Sequence, residues 1–327
     1  MSTRFALACG ALAAVILATA TGDQWSDHPA LASVMAVGVP TAVAPPAAGL
    51  PAGQAPAAPG CNPRASLRPR GPLPAPGQMP AGSTMARIAQ RGHLIVGIGQ
   101  DSYPLAFRDK DLKLAGFEID IVRDIAEAIT GDRERVVFRP HPAAGRLEPV
   151  RSGQIDLVVA ATTITCPRRE KVDFSAVYYE ARQRVLTNRG LGITGLDDLR
   201  GKHVCAALGT TSLANVLADR SKPIPVGEPT PSDCLVLLQL GEVDALSSDD
   251  TQLAGMAAQD PRIEIVGPQL SEEPYGIAIN KDTPDLVRFV NAVLERRAQD
   301  GRWRAGYERW LTLLGPLPLP PTPQYRD

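Results

Sequence analysis

Three stretches of this chain bring together side chains capable of specific chemistry. Thr162-Thr-Ile-Thr-Cys-Pro-Arg-Arg-Glu-Lys-Val-Asp-Phe-Ser175 sets hydroxyls at the end of an apolar run against a helix start with two arginines. A guanidinium grips a carboxylate through two parallel N–H donors. Gly209-Thr-Thr-Ser212 lies between a predicted strand and a predicted helix. Backbone N–H groups there could hold an anion, or a hydroxyl could simply cap the helix. Ser247-Ser-Asp-Asp250 puts two carboxylates at another strand end, where open α/β sheets bind ligands. Arginine with threonines on one segment and an aspartate on another is complementary to a zwitterion: the arginine takes the carboxylate and the aspartate takes the ammonium.

Other chemistries lack their residues. Gly97-Ile-Gly99 is followed by Ser102 where a dinucleotide fingerprint needs its third glycine. No P-loop, nucleophile elbow, zincin or kinase motif occurs. There is no Cys-x-x-Cys, and His28, His93, His141 and His203 have no ligand spacing, so neither a metal nor a cofactor is expected. The net charge is −1 without a long basic block, which argues against a nucleic-acid partner.

The elements that must position these groups alternate. Strand signals at Leu94–Ile98, Val136–Phe138, Ile155–Ala161 and Arg184–Asn188 are interleaved with helix signals at Val122–Ile129 and Arg146–Ser152. A second cycle follows. Its strands are Val204–Ala207, Ile224–Val226, Val243–Leu246, Ile263–Val266 and Tyr275–Asn280; its helices are Leu213–Ala218, Cys234–Leu240 and Asp250–Ala258. Helices over Asp285–Arg297 and Trp303–Leu314 close the domain. Such alternation predicts an α/β fold with mostly parallel sheets, and two half-size cycles predict two lobes.

Composition delimits this body. The 327 residues are 44% apolar and 21% charged, which excludes wholesale disorder. Of 31 prolines, 12 fall between Pro40 and Pro80 and five between Pro316 and Pro323. The Pro/Ala/Gly-rich stretch reads as an extended tether over 22–83, and 315–327 as a Pro-rich tail. Arg4 followed by apolar Phe5–Ala20 and a small-x-small site at Ala18-Thr-Ala20 reads as an export signal over 1–21, or as an uncleaved anchor. Cys9 in Ala6-Leu-Ala-Cys-Gly10 is either a lipidation site, with the true start upstream, or a residue of the apolar stretch. Each reading places the body outside the cytoplasmic membrane, tethered or secreted. Cys61, Cys166, Cys205 and Cys234 then lie in an oxidising space. Four cysteines allow three pairings, and their placement favours Cys205–Cys234 and Cys61–Cys166 over four buried thiols.

Taken together, these stretches resemble the family 3 extracytoplasmic solute-binding proteins of the polar amino-acid class, over roughly 84–314. Gly116-Phe-Glu-Ile-Asp-Ile-Val-Arg-Asp-Ile-Ala126 resembles the signature at the first helix; Thr163–Arg168 with Val172-Asp-Phe-Ser175 resembles the ligand loop. Gly209–Ser212, Asp249-Asp250, Tyr275-Gly276 and Asp300–Trp303 complete it. Within the family the chain is most similar to the glutamine/glutamate-binding lipoproteins of actinobacteria. The resemblance implies a two-lobed Venus-flytrap fold of type II, with lobes at 84–179 plus 276–314 and at 180–275. Two hinge strands would lie near Tyr179–Arg184 and Glu273–Ile277. It implies a monomer that binds a free L-amino acid by cleft closure and presents it to an ABC permease, or signals to a membrane sensor. An enzyme on the same fold, such as a dehydratase, would need a further cleft carboxylate, for which Asp101 is the choice.

Residue by residue, the resemblance implies Arg168 for the α-carboxylate, with Thr163 beside it, and a carbonyl from Ala161 for the ammonium. It implies Thr210 and Thr211 completing the carboxylate site, and Asp249 pairing with the ammonium. Asp250 fits better as a cap or first-turn residue. The chain departs from the pattern at Gly99, where glutamine binders carry Asp; Asp101 is the nearby substitute, and Tyr103 a candidate aromatic wall. Arg146 aligns where acidic-amino-acid binders aim an arginine at the ligand side chain. With no counter-charge expected beside it, Arg146 favours glutamate or aspartate over their amides.

Overall fold

The computed structural model describes residues 60–327. The export segment, Cys9 and most of the proposed tether lie outside them. Each lobe is built on a five-stranded sheet flanked by helices. The first sheet has the order Val136–Pro140, Leu94–Ile98, Leu157–Val158, Ala278–Ile279, Asp173–Phe174. Its first three strands are parallel, and Ala278–Ile279 runs antiparallel to both neighbours. The second has the order Ile224–Glu228, His203–Ala207, Ala245–Asp249, Tyr179–Asn188, Ile263–Tyr275, the first three again parallel and the last two antiparallel.

The helix Phe117–Thr130 carries Phe117, Ile121, Ile125 and Ile129 at helical spacing, and all four are fully buried in the first lobe. Gly116 precedes it at φ 128°, where a Cβ would stand 2.2 Å from the Leu105 carbonyl oxygen, so only glycine fits. The second lobe packs Leu186, Leu238, Leu246 and Leu253 around the Cys205–Cys234 disulfide.

Two long strands join the lobes. The chain leaves the first lobe through Tyr179–Asn188 and returns by Ile263–Tyr275, paired from Tyr275↔Tyr179 to Ile263↔Asn188. The predicted separate strands Ile263–Val266 and Tyr275–Asn280 are thus one strand of 13 residues plus the short Ala278–Ile279. Gly267 at φ 74° makes the irregularity between Val266 and Ser271 that broke the sequence pattern. The predicted strand Ile155–Ala161 pairs only over Leu157–Val158, and at its end Ala161 has φ 45°.

Residues 60–83 form a strap laid on the body and 315–327 pack beside it, which corrects the expected reach of the tether to 83 and of the tail; the Cys61–Cys166 pairing favoured from the sequence is present. Cys61 is bonded to Cys166, and Ala65–Ser66 pairs in parallel with Gln324–Tyr325. Leu67, Leu73, Met79 and Leu317 pack on the first-lobe core. The buried Asn291 amide donates to Ser66 Oγ at 2.8 Å and to the Leu67 carbonyl at 2.7 Å. Arg64 pairs with Glu180 and Glu272, one on each connecting strand. Composition flags chain entropy; it is blind to apolar residues spaced to rest on a distant core.

Candidate functional site

A small cavity of about 50 Å³ lies between the lobes. Asp101, Glu118, Arg146, Thr163, Arg168 and Asp249 are among its lining residues. It shares Arg146, Arg168 and Thr210 with a larger outer groove of about 450 Å³. The lobes meet around it. Ser232 Oγ donates to the Asp101 carbonyl at 3.4 Å, and Gln252 Nε2 to Ser102 Oγ at 3.5 Å.

Arg168 sits on the short helix Cys166–Lys171, started by Thr165, whose Oγ1 accepts from the Arg168 N–H. Cys166 at the head of that helix ties it to Cys61. The guanidinium is held at both ends: Nη1 donates to the Thr163 carbonyl at 2.7 Å, and Nη2 crosses to the Gly209 carbonyl of the other lobe at 2.9 Å. Burial and the neighbouring Arg146 push its pKa down to about 10, which leaves it charged at neutral pH. Its neighbour Arg169 is buried and pairs with Asp173.

Arg146 is buried, and it precedes the helix, which begins at Glu148 rather than at the predicted Arg146. Its Nη1 donates to the Ala160 carbonyl at 2.5 Å, and among the described residues Nε and Nη2 have no hydrogen-bond partner. Burial lowers its pKa, against the fields of Glu118 and Asp249. Those two carboxylates correct the expectation that Arg146 would lack a counter-charge.

Asp249 ends the strand Ala245–Asp249 and is buried. The Tyr275 hydroxyl donates to its Oδ2 at 2.6 Å. Desolvation, then the nearby Glu273, pushes its pKa up to about 7. Asp250 starts the next helix and accepts from the Arg182 N–H at 3.2 Å; it is not among the cavity's lining residues.

Thr163, Thr210, Thr211 and Ala161 also line the cavity. Thr210 caps the helix Thr211–Ala218: its Oγ1 accepts from the Leu213 N–H at 3.1 Å and donates to the Ala207 carbonyl at 2.6 Å. Ala161 is held in the left-handed region, a costly conformation for alanine, with its N–H on Glu118 Oε1 at 2.6 Å. Asp101 is exposed at the rim. Tyr103 does not reach the cavity. Its ring meets Phe107 edge-on at 4.8 Å, and its carbonyl lies against Gly255.

Two buried carboxylates, one lining the cavity and one not, escaped the sequence reading, which limited further cleft acids to Asp101. Glu118 lies in a helix's first turn, where acids are common for electrostatic reasons alone. Here it is 1% exposed, and burial raises its pKa against hydrogen bonds from Tyr178 and Ala161. Glu273 sits beside Glu272 on a strand that reads as polar. Its Oε2 accepts from Thr163 Oγ1 at 2.6 Å and from Thr211 Oγ1 at 2.7 Å. The Gly116-Phe-Glu signature was the one signal that could have flagged Glu118.

The sequence pattern of the bacterial extracellular solute-binding proteins, family 3, matches residues 94–313. The chain is 32% identical to the ABC transporter glutamine-binding protein GlnH of Bacillus subtilis (strain 168), over 70% of this chain and 84% of that one. It is 28% identical to the glutamate/aspartate import solute-binding protein of Salmonella typhimurium (strain LT2), over 74% of this chain and 82% of that one. In structure it is similar to an ancestral arginine-binding protein bound to glutamine, with a TM-score of 0.64 and 36% identity over 67% of this chain and 98% of that one.

Proposed function

The chain belongs to the bacterial extracellular solute-binding proteins, family 3, and on that premise we propose that it is a membrane-tethered receptor for a free polar amino acid. It takes the ligand between its lobes as a monomer and hands it to an ABC importer. The observation that carries this reading is the meeting of opposite charges in one interlobe cavity: two guanidiniums, Arg146 and Arg168, with Glu118 near Arg146, from the first lobe, and the buried Asp249 carboxylate from the second. An α-amino acid brings the opposite charges at fixed spacing. The names of the relatives support binding rather than catalysis.

Glutamate and aspartate are the favoured ligands over glutamine and asparagine. Arg168 faces the α-carboxylate, and the unengaged Nε and Nη2 of Arg146 suit a second carboxylate. Glu118 lies near this charge, and burial raises its pKa against hydrogen bonds from Tyr178 and Ala161 and the field of Arg146. Arg146→Gln tests the assignment. It is expected to weaken glutamate and aspartate by about 2 kcal/mol or more while leaving the amides little changed, read by calorimetry. Equal effects on acids and amides, or a wild type that binds glutamine more tightly than glutamate and aspartate, would contradict it.

A further inference from the structure

One residue of the strap meets both strands that join the lobes. Arg64 Nη1 pairs with Glu180 on the outgoing strand, and Nη2 with Glu272 Oε2 on the returning strand at 2.7 Å. The register sets Glu272 opposite Arg182, so Glu180 and Glu272 lie diagonally on one face of the strand pair. Two carboxylates so placed repel each other. Among the described residues the ion pairs of both run to Arg64 and not to Arg182. Arg64 is itself anchored to the first lobe on either side. Before it, Cys61 is bonded to Cys166. Its own N–H donates to Asn62 Oδ1 at 2.9 Å, and Asn62 Nδ2 donates to Gln324 Oε1 at 3.0 Å. After it, Ser66 Oγ donates to the Phe174 carbonyl at 2.7 Å and accepts from Asn291 at 2.8 Å.

An ion pair near the surface is weak largely because two free side chains must be ordered to make it. Here the backbone that carries Arg64 is already fixed, and one guanidinium serves two acids through separate nitrogens. Rotation of one lobe against the other is absorbed where the chain crosses between them. Glu180 stands near the first-lobe end of that crossing, and Glu272 stands further toward the second lobe. A change of twist or bend in the strand pair alters the diagonal between the two carboxylates. A guanidinium held from the first lobe then loses one of them. In the arrangement described, the lobes meet at Ser232–Asp101 and Gln252–Ser102, and Arg64 makes both contacts. An interaction made in one arrangement and broken in the other shifts the population toward the first. We infer that Arg64 is a positioning residue that braces the crossing strands and biases the lobes toward the closed arrangement that retains the ligand. Arg64, Glu180 and Glu272 are not among the residues lining the cavity, so the brace acts on affinity without touching the ligand. The inference rests on the amino-acid reading above and deepens it. Linkage makes the effect reciprocal: a ligand that closes the lobes also holds the strap in place.

The test measures L-glutamate and L-glutamine by calorimetry on the full chain as wild type, Arg64→Gln, Glu272→Gln and the double variant. Arg288→Gln is the control for a merely loosened strap, because Arg288 holds it elsewhere, at the Arg68 carbonyl at 2.6 Å, and pairs with Asp327. Arg64→Gln weakens both ligands by the same factor, at least about 3-fold, since the brace distinguishes open from closed lobes and not acid from amide. Glu272→Gln weakens them in the same direction, and the double variant is no weaker than Arg64→Gln alone. Arg288→Gln lowers the thermal midpoint and keeps both affinities within about 2-fold of the wild type. Hydrogen exchange reads the reciprocal effect: saturating ligand slows the amides of residues 61–67 more in the wild type than in Arg64→Gln. A loss below about 3-fold in Arg64→Gln overturns the inference. So does a double variant that loses the product of the single losses, or an Arg288→Gln that weakens the ligands as much as Arg64→Gln. Should Arg64→Gln fail to fold, Glu272→Gln, at an exposed position, carries the test: a loss of at least about 2-fold is expected, and unchanged affinities overturn the inference. A wild type that binds none of the twenty amino acids defeats the receptor reading and this inference with it. A wild type that binds, with variants that match it, defeats this inference alone.

Discussion

Asp249 sets folding against binding. Its neutral form is favoured in the folded protein, where its pKa is about 7, against an ordinary value of 3.8. Below about pH 4 the group is protonated in folded and unfolded chains alike. As pH rises from about 4 to about 7 the unfolded chain ionises first, so the stability contribution of this residue falls, and above about 7 the full penalty remains. Asp249→Asn is therefore expected to be more stable than the wild type at about pH 8, by about 1–3 kcal/mol, with the gap closing below about pH 4. Denaturant midpoints across that range check it. The same proton must leave before the carboxylate can pair with an ammonium. Ligand affinity of the wild type is expected to fall by up to about tenfold per pH unit as pH drops below about 7. Calorimetry from about pH 5 to about pH 8 reads this slope, and a flat profile would contradict the assignment.

Helices and loops of the two lobes approach each other through glycines. Gly255, on the second-lobe helix Asp250–Ala257, lies so close to the first-lobe loop that a Cβ would stand 1.9 Å from the Tyr103 carbonyl oxygen. Gly209, at φ 77°, would place its Cβ 2.8 Å from Ala144 Cα. Gly255→Ala is expected to fold normally, to hold the lobes further apart in solution scattering, and to weaken the amino acid by about 10-fold or more. Wild-type affinity would mean that this contact does not govern closure. On the outer face, the Cys61–Cys166 bond spans 105 residues and fixes both the N-terminal strap and the helix that carries Arg168. Replacing both cysteines by serine is expected to destabilise the protein by about 2–5 kcal/mol. A thermal midpoint unchanged by the substitution and by reductant would contradict a structural role for the bond.

At the scale of the whole molecule, the apolar runs and the Thr163–Arg168 loop were legible because each is written in contiguous residues. The strap, the long Ile263–Tyr275 strand and the burial of Glu118 and Glu273 were not. Each depends on partners far along the chain: Asn291 and Gln324 for the strap, Tyr179–Asn188 for the strand, Thr163 and Thr211 for Glu273. An acid on a helix's first turn or beside a second acid looks like surface until the fold closes over it. Arg146 was marked as a candidate from its alignment, but its charge environment was not legible, since Glu118 and Asp249 reach it from different elements.

Titration of the full chain with each of the twenty L-amino acids, beside Arg168→Ala, tests the central claim most directly. The account predicts saturable one-to-one binding of a polar amino acid, tightest for glutamate or aspartate. It predicts a loss of about 2–5 kcal/mol in a well-folded Arg168→Ala, through removal of a charge-assisted contact that leaves the α-carboxylate unpaired. No binding of any amino acid by the wild type, or undiminished binding by Arg168→Ala, would contradict it.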